Sequence, residues 1–325
     1  MMKQVVILGA GAWGQALAHL LKNNGHPILL WSYKPFSENK AKIFQQAQIR
    51  TSESLKQALQ GTEGVDCVIT SVPAQTYFDL YSALKKYCPR ETHIINTSKG
   101  IDVKTGLLLS ELLHLSIPDF PMENYSVLSG PSFSEEVSRQ MPTAVVASSL
   151  SRNRAKECQA LFGNSWFRVY TNTDILGVEL AGAIKNVIAI ASGICDGLGL
   201  GFNSRAALVV RGNAEIVRLG KIMGAKTETF YGLAGMGDLI LTAMSPMSRN
   251  FLFGHWIGKG FTQKETLLKI DGIVEGVETV KAVKKMAQKY RAEMPIVDAV
   301  YATLFENMPP HTAVRNLMGR DLKSE

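Results

Sequence analysis

Five groups of residues in this chain are of types and spacings that do chemistry. Lys185 lies in the helical stretch Glu179-Leu-Ala-Gly-Ala-Ile-Lys185-Asn-Val-Ile-Ala-Ile, and its same-face neighbours three and four positions away are Ala181, Gly182, Ile188 and Ala189. None of these is acidic, so no local helix ion pair accounts for the charge. Two uses stay open: a stem that covers apolar surface with its head in water, or a desolvated amine. Burial lowers a lysine's pKa from its ordinary value of about 10.4 and so makes the amine a proton donor or acceptor near neutral pH. Gly235-Met-Gly-Asp238-Leu sets a carboxylate directly after a flexible glycine turn, where it either caps a helix or orients an ammonium. Ser248-Arg249-Asn250 reads as a helix start, with Ser248 at the cap. A guanidinium fork beside free helix N–H groups suits a phosphate, whereas the helix dipole favours a purely structural arginine late in a helix. Thr97-Ser98-Lys99-Gly100 follows an apolar strand-like run, and Ser129-Gly130-Pro131-Ser132-Phe133-Ser134 gathers backbone N–H groups and hydroxyls at a helix head. Both suit an anion, although Lys99 alone reads equally well as surface charge.

The elements that must position these groups are organised around Gly9-Ala10-Gly11-Ala12-Trp13-Gly14. Residues 4–8 form a β-branched apolar run of strand length, and residues 15–21 carry apolar side chains at helical spacing. In a strand, glycine turn and helix of this kind, the first glycine permits the bend and the second lets backbone approach a pyrophosphate. The third allows close helix–strand packing, and the helix N-terminus faces the phosphates. The flanking strand and helix, with a further strand at 27–31, supply the context that lifts GxGxxG above a merely structural turn. Just past that further strand an acid would bind a ribose 2′-hydroxyl; here Ser32, Tyr33 and Lys34 stand instead, with no acid until Glu38. NADPH is therefore expected to be accepted or preferred over NADH.

Strands and helices alternate onward: a helix from near Thr51, strands at 65–72, 93–96, 125–128, 143–148 and 167–170, and a helix at 152–162. Near Asn172 the pattern turns wholly helical, with Asn172-Thr173-Asp174 offering an N-cap. The expected fold is α/β, a Rossmann-type dinucleotide-binding domain over 1–172 followed by an all-α substrate-binding and catalytic domain over 173–325. At 325 residues and 46% hydrophobic, the chain can bury two cores. No uninterrupted apolar run reaches the roughly 18 residues that span a bilayer, so no membrane role is expected. Cys67, Cys88, Cys158 and Cys195 are irregularly spaced with no CxxC, which reads as reduced, mostly buried thiols of a cytoplasmic protein and as no metal site. The formal net charge of +7 is scattered, with Lys85-Lys86 and Lys284-Lys285 on helix faces. Small phosphorylated ligands are expected before nucleic acid, which would want a contiguous basic stripe. The terminal residues 323–325 read as frayed.

Taken together, GAGAWGQALA at 9–18, TSKG at 97–100, SGPSF at 129–133, AGAIKNVIAIASGICDGLGLG at 181–201, NSRAAL at 203–208, GMGDLILT at 235–242, SRN at 248–250 and VEG at 274–276 resemble the bacterial NAD(P)-dependent glycerol-3-phosphate dehydrogenases. The resemblance runs over nearly the whole chain. It implies reversible reduction of dihydroxyacetone phosphate to sn-glycerol 3-phosphate in the cytoplasm, supplying phospholipid synthesis, by a homodimer. It also implies Lys185 as the catalytic lysine, held in line by Asp238 and Lys99. The substrate positions implied are Lys99, Gly130, Ser132, Lys185, Asp238, Ser248, Arg249 and Asn250. For NAD or NADP, beside Gly9, Gly11 and Gly14 of the glycine turn and Lys34 past the further strand, the resemblance implies Ala12, Trp13, Tyr33, Lys99, Ser134, Arg249, Ile273 and Glu275. Ala12 replaces the usual serine, Ser134 a common alanine, and Tyr33 a basic or imidazole side chain; these departures touch cofactor preference and leave the reaction alone. Two competing readings are a β-hydroxyacid dehydrogenase of the same two-domain plan and a non-catalytic dinucleotide-sensing module.

Overall fold

The computed structural model describes residues 3–60 and 65–322. They divide into two compact units, 3–60 with 65–99 and 108–178 in one, and 100–107 with 179–322 in the other. The expectation for residues 323–325 lies outside the described residues.

Unit one is built on strands β1 (Val5–Leu8), β2 (Ile28–Trp31), β3 (Arg50–Ser52), β4 (Cys67–Thr70), β5 (His93–Asn96), β6 (Tyr125–Ser129), β7 (Thr143–Ser149) and β8 (Phe167–Asn172). They form one sheet in the order β3-β2-β1-β4-β5-β6-β7-β8, parallel throughout except for the antiparallel β6–β7 pair. Helices α1 (Ala12–Asn23), α2 (Glu38–Gln46), α3 (Leu55–Gln60), α4 (Tyr77–Tyr87), α5 (Leu109–Ser116), α6 (Ser134–Ser138) and α7 (Arg152–Phe162) connect them. β1, β2, β4 and β5 are short runs buried at every residue, as strands covered by helices on both faces require. Ile7, Leu17, Leu21, Val145 and Phe162 are among the side chains of the resulting core. β1 is flanked by β2 and β4, so the strand order reverses there. Ligands of such sheets collect beyond the carboxyl ends at that switch point. At the opposite ends, burial pushes the His93 imidazole down to about 3 and keeps it neutral beside Ser126, 2.7 Å away.

One expected element is corrected. Instead of a helix from near Thr51, residues Arg50–Ser52 form the edge strand β3, paired with β2, and the helix starts at Leu55. Three residues are too few to show an alternating pattern, and the pairing with β2 decides their conformation.

Unit two is helical. α8 (Ile175–Gly197) crosses the boundary between 178 and 179 and is followed by α9 (Gly201–Met223), α10 (Thr227–Tyr231), a π turn (Leu233–Gly237), α11 (Asp238–Met244), α12 (Arg249–Gly258), α13 (Gln263–Leu268), α14 (Glu275–Lys289), α15 (Pro295–Phe305) and α16 (Pro310–Met318). Asp174 caps α8 by accepting the N–H of Gly177 at 2.9 Å, as its sequence pattern predicts. With a mean hydropathy of 1.6 over its most apolar window, α8 is long and apolar enough to cross a membrane, yet that window is 94% buried within the protein. Glu179 and Lys185 interrupt its apolar sequence. Gly193 and Gly254 let α8 and α12 pack backbone to backbone: a Cβ on Gly193 would lie 2.0 Å from Phe251 O, and one on Gly254 would lie 2.0 Å from Ile190 O. Glu215 of α9 is buried, its pKa pushed up to about 7 by desolvation, and it accepts the N–H groups of Ile296 and Val297 at the head of α15.

Candidate functional site

In unit one the glycine turn between β1 and α1 has three distinct jobs. Gly9 has φ +118°, and a Cβ there would lie 2.2 Å from Ser71 O. A Cβ on Gly14 would lie 1.8 Å from Gly9 O, so helix and turn touch backbone to backbone. Gly11 differs: a Cβ there would meet nothing within 4 Å. The space above it is open, which is what a pyrophosphate against bare backbone needs. Gln15 Nε2 braces the turn by donating to Ala10 O at 2.6 Å. The head of α1 has no side-chain cap and no acid in its first turn, Ala12 is exposed and Trp13 is half-buried. Its N–H groups therefore present partial positive charge with no competing carboxylate. Beyond β2, Tyr33 is 85% exposed, and the N–H of Lys34 donates to Ser32 Oγ at 3.3 Å. These residues fit a dinucleotide, and the missing acid leaves room for a 2′-phosphate.

At the carboxyl end of β5, Ser98 Oγ donates to Val72 O at 2.7 Å, and the next residue, Lys99, donates from Nζ to Gly130 O at 3.1 Å. Ser132 Oγ donates to the same carbonyl at 3.0 Å. Gly130, at φ +143°, sits against Val145, where a Cβ would approach to 2.9 Å of Val145 Cα. Lys99 and Ser132, 31 and 2 residues from Gly130 in sequence, thus share its carbonyl oxygen. Ser134 is the first residue of the short helix α6.

In unit two Lys185 is 6% exposed and Asp238 only 1%. Lys185 Nζ lies 2.5 Å from Asp238 Oδ1 and 2.7 Å from Thr242 Oγ1, and the Thr242 hydroxyl donates to Asp238 O at 2.7 Å. Of the two uses open to Lys185, water-facing snorkelling is absent here. The π turn delivers Asp238 to the start of α11, and Thr242 follows one turn later on the same face. Ser248 is 4% exposed and caps α12 by accepting the N–H of Phe251 at 3.3 Å. Arg249 is exposed and its guanidinium lies over Gly272, whose added Cβ would come 2.6 Å from Nη1. Asn250 Nδ2 donates to Asn186 Oδ1, and Asn250 Oδ1 accepts the N–H of Gly276, both at 2.9 Å. The 272–276 segment carrying Ile273, which is 52% exposed, and Glu275 is thereby drawn to the head of α12.

Thr242 and Asn186 were not singled out from the sequence. Thr242 stands four residues after Asp238, so helical spacing from that carboxylate carried its signal, whereas Asn186 lies on a different face from its neighbour Lys185 and no spacing marked it. Chemically, unit two offers a buried ammonium set by a carboxylate and a hydroxyl. A guanidinium and an amide stand at a helix start, which is the equipment for a proton transfer and for an anion.

Residues 4–155 match the family model described as NAD-dependent glycerol-3-phosphate dehydrogenase N-terminus, and residues 174–315 match the corresponding C-terminus. The glycerol-3-phosphate dehydrogenase, NAD(P)+, of Geobacter sp. strain M21 is 43% identical over 333 residues, covering 100% of this chain and 99% of the relative. That of Carboxydothermus hydrogenoformans is 44% identical over 99% of this chain and 98% of its own length. Among solved structures, the glycerol-3-phosphate dehydrogenase of Coxiella burnetii superposes with a TM-score of 0.91 at 36% identity, covering 98% of this chain and 99% of that one.

Proposed function

The chain belongs to the NAD-dependent glycerol-3-phosphate dehydrogenase family, and from that premise we propose how its own residues carry the reaction. It is an oxidoreductase that reversibly reduces dihydroxyacetone phosphate to sn-glycerol 3-phosphate with NAD(P)H. The observation that carries this reading is the buried Lys185–Asp238–Thr242 group beside a helix start bearing Arg249 and Asn250. When bound, the dinucleotide supplies the hydride that reaches the carbonyl carbon. Lys185, as the ammonium, gives a proton to the carbonyl oxygen as negative charge develops there. In the reverse direction the neutral amine takes that proton back. Asp238 holds the ammonium by its charge, and Thr242 fixes its direction. Arg249, Asn250 and backbone N–H groups at the head of α12, capped by Ser248, take the phosphate. That contact uses binding far from the reacting carbon to orient it. Lys99, Gly130 and Ser132 contribute a further polar surface for the substrate. Gly9, Gly11, Ala12, Trp13 and Gly14 take the pyrophosphate, with Tyr33 and Lys34 at the ribose end and Ser134, Ile273 and Glu275 completing the dinucleotide contacts.

On this reading 1–172 is the dinucleotide-binding domain and 173–325 the substrate-binding and catalytic domain. We place the enzyme in the cytoplasm as a homodimer that supplies glycerophospholipid synthesis. Its partner is a small phosphorylated substrate, with no nucleic acid or membrane involved. The test is oxidation of NADPH, followed by absorbance, with dihydroxyacetone phosphate, dihydroxyacetone and 3-carbon hydroxy-acid precursors offered in turn. Turnover confined to the phosphorylated ketone supports the reading; turnover of a keto acid or of nothing overturns it. The Ser32-Tyr33-Lys34 segment favours NADPH in a side-by-side comparison at limiting cofactor, and a clear preference for NADH would remove that assignment. Arg249→Ala is expected to raise KM for dihydroxyacetone phosphate about 10- to 100-fold, the size of one or two charged hydrogen bonds, with kcat changed much less. An unchanged KM would count against a phosphate contact at Arg249.

A further inference from the structure

We propose that Arg205, held by Asp196, is a positioning residue that sets the helix bearing Lys185 in register with the helix bearing Asp238 and Thr242. Arg205, on α9, is 7% exposed. Its Nη1 donates to Asp196 Oδ1 at 2.9 Å, near the end of α8, and its Nη2 donates to Met244 O at 3.3 Å, the last residue of α11. The guanidinium carbon also lies over the ring of Phe251 on α12, 5.1 Å from its centroid, and over that of Phe202 at 5.3 Å. Asp196 in turn places Oδ2 2.7 Å from His255 Nδ1 on α12. One side chain therefore touches, directly or through Asp196, each of the three helices that carry the proposed chemistry.

α11 has most need of such an anchor. It is seven residues long and is entered through a π turn, so neither its length nor its start fixes it firmly. Its last carbonyls have no partner within the helix. Arg205 takes Met244 O, and Ser192 Oγ of α8 donates to Ala243 O at 2.6 Å. The carboxyl end of α11 is thus tied to α8 and α9, and the position of Asp238 and Thr242 against Lys185 follows from that tie. Contacts of 2.5 and 2.7 Å do not survive a shift of about 1 Å, a displacement that costs catalysis about 100-fold where groups must be aligned. An ion pair whose carboxylate is 30% exposed adds little net stability, so placement accounts for this one better than stability does. Lysine cannot substitute: one ammonium cannot span the Asp196 carboxylate and the Met244 carbonyl in a fixed fork with its charge over two rings.

This rests on Lys185 being the proton donor, and the experiment separates the two claims. Arg205→Lys and Asp196→Asn are assayed with dihydroxyacetone phosphate and NADPH, alone and combined with Lys185→Ala, with Tm recorded for each. Asp196 is 30% exposed and provides the test if Arg205→Lys does not fold. Each single variant should lose about 10- to 100-fold in kcat with both KM values kept within about 3-fold. Neither should slow Lys185→Ala further, because misplacing a group already removed has no effect. A kcat within about 2-fold of the parent, or a loss that multiplies fully in the Lys185→Ala background, would overturn the positioning role. Normal turnover by Lys185→Ala would take down both claims, whereas loss there with none in the Arg205 and Asp196 variants takes down this one alone.

Discussion

Lys185→Ala is expected to lower kcat for reduction of dihydroxyacetone phosphate by about 100- to 10,000-fold, with NADPH affinity within about 2-fold of the parent. That range corresponds to about 3–5 kcal/mol of lost transition-state stabilisation, the scale of one well-placed general acid. The assignment rests on position: the amine is 6% exposed and lies 2.5 Å from Asp238 and 2.7 Å from Thr242, so its direction is set before any substrate arrives. No residue on its own helix face accounts for a charge in this place. Removing the amine also leaves the Asp238 carboxylate buried without its cation, which costs stability, so turnover must be read on folded protein well below Tm. Lys185→Arg separates the two effects. Arginine keeps a positive charge opposite Asp238 and rescues Tm, but a guanidinium does not release a proton near neutral pH, so kcat stays low. Fluorescence titration with NADPH, together with steady-state kinetics, reads all of this. Near-normal turnover by Lys185→Ala would remove it from the reaction.

Much of this arrangement was legible in the sequence, for a physical reason that differs from group to group. The glycine turn could be read because two of its glycines answer a backbone demand that no other residue meets, Gly9 with φ +118° and Gly14 with no room for a Cβ, while Gly11 keeps open the space a ligand needs. The buried strands could be read because Val5–Leu8 and Ile28–Trp31 are covered on both faces and so must be apolar throughout. Lys185 could be read because it breaks a long apolar helix with no acid three or four positions away in sequence. The edge strand β3 could not, since its three residues are half-exposed or more and take their conformation from pairing with β2. Nor could Arg205, whose partners Asp196, Met244 and Phe251 converge only once three helices have packed. A sequence shows which residues cannot be solvated where they stand. Periodicity and spacing are silent on long-range partners: Asp238 for Lys185, 53 positions apart, comes from the family resemblance alone.

Gly11→Ala is expected to raise the NADPH dissociation constant by about 100-fold or more while leaving Tm within about 2 °C of the parent. In the folded chain an added Cβ at Gly11 meets nothing within 4 Å, and the backbone there, at φ −67° and ψ 175°, is open to any residue. Alanine is a poorer N-cap than glycine, but it also restricts the unfolded chain, and these effects of about 0.5–1 kcal/mol oppose each other. Little change in stability follows. The ligand meets a different situation, because the methyl group occupies the space through which a pyrophosphate must approach the N–H groups of α1. Gly14→Ala is the contrasting case. Its Cβ would lie 1.8 Å from Gly9 O, so the turn itself must open, and overpacking against backbone costs about 1–3 kcal/mol or more. Tm should fall by several degrees and binding should weaken with it. The pair therefore discriminates between a turn that only joins β1 to α1 and one that cradles a ligand. A structural turn predicts that Gly14→Ala is harmful and Gly11→Ala silent in every assay. A cradle predicts that Gly11→Ala is silent in the thermal melt and severe in the NADPH titration, and parental affinity in that titration would withdraw the dinucleotide site from this turn.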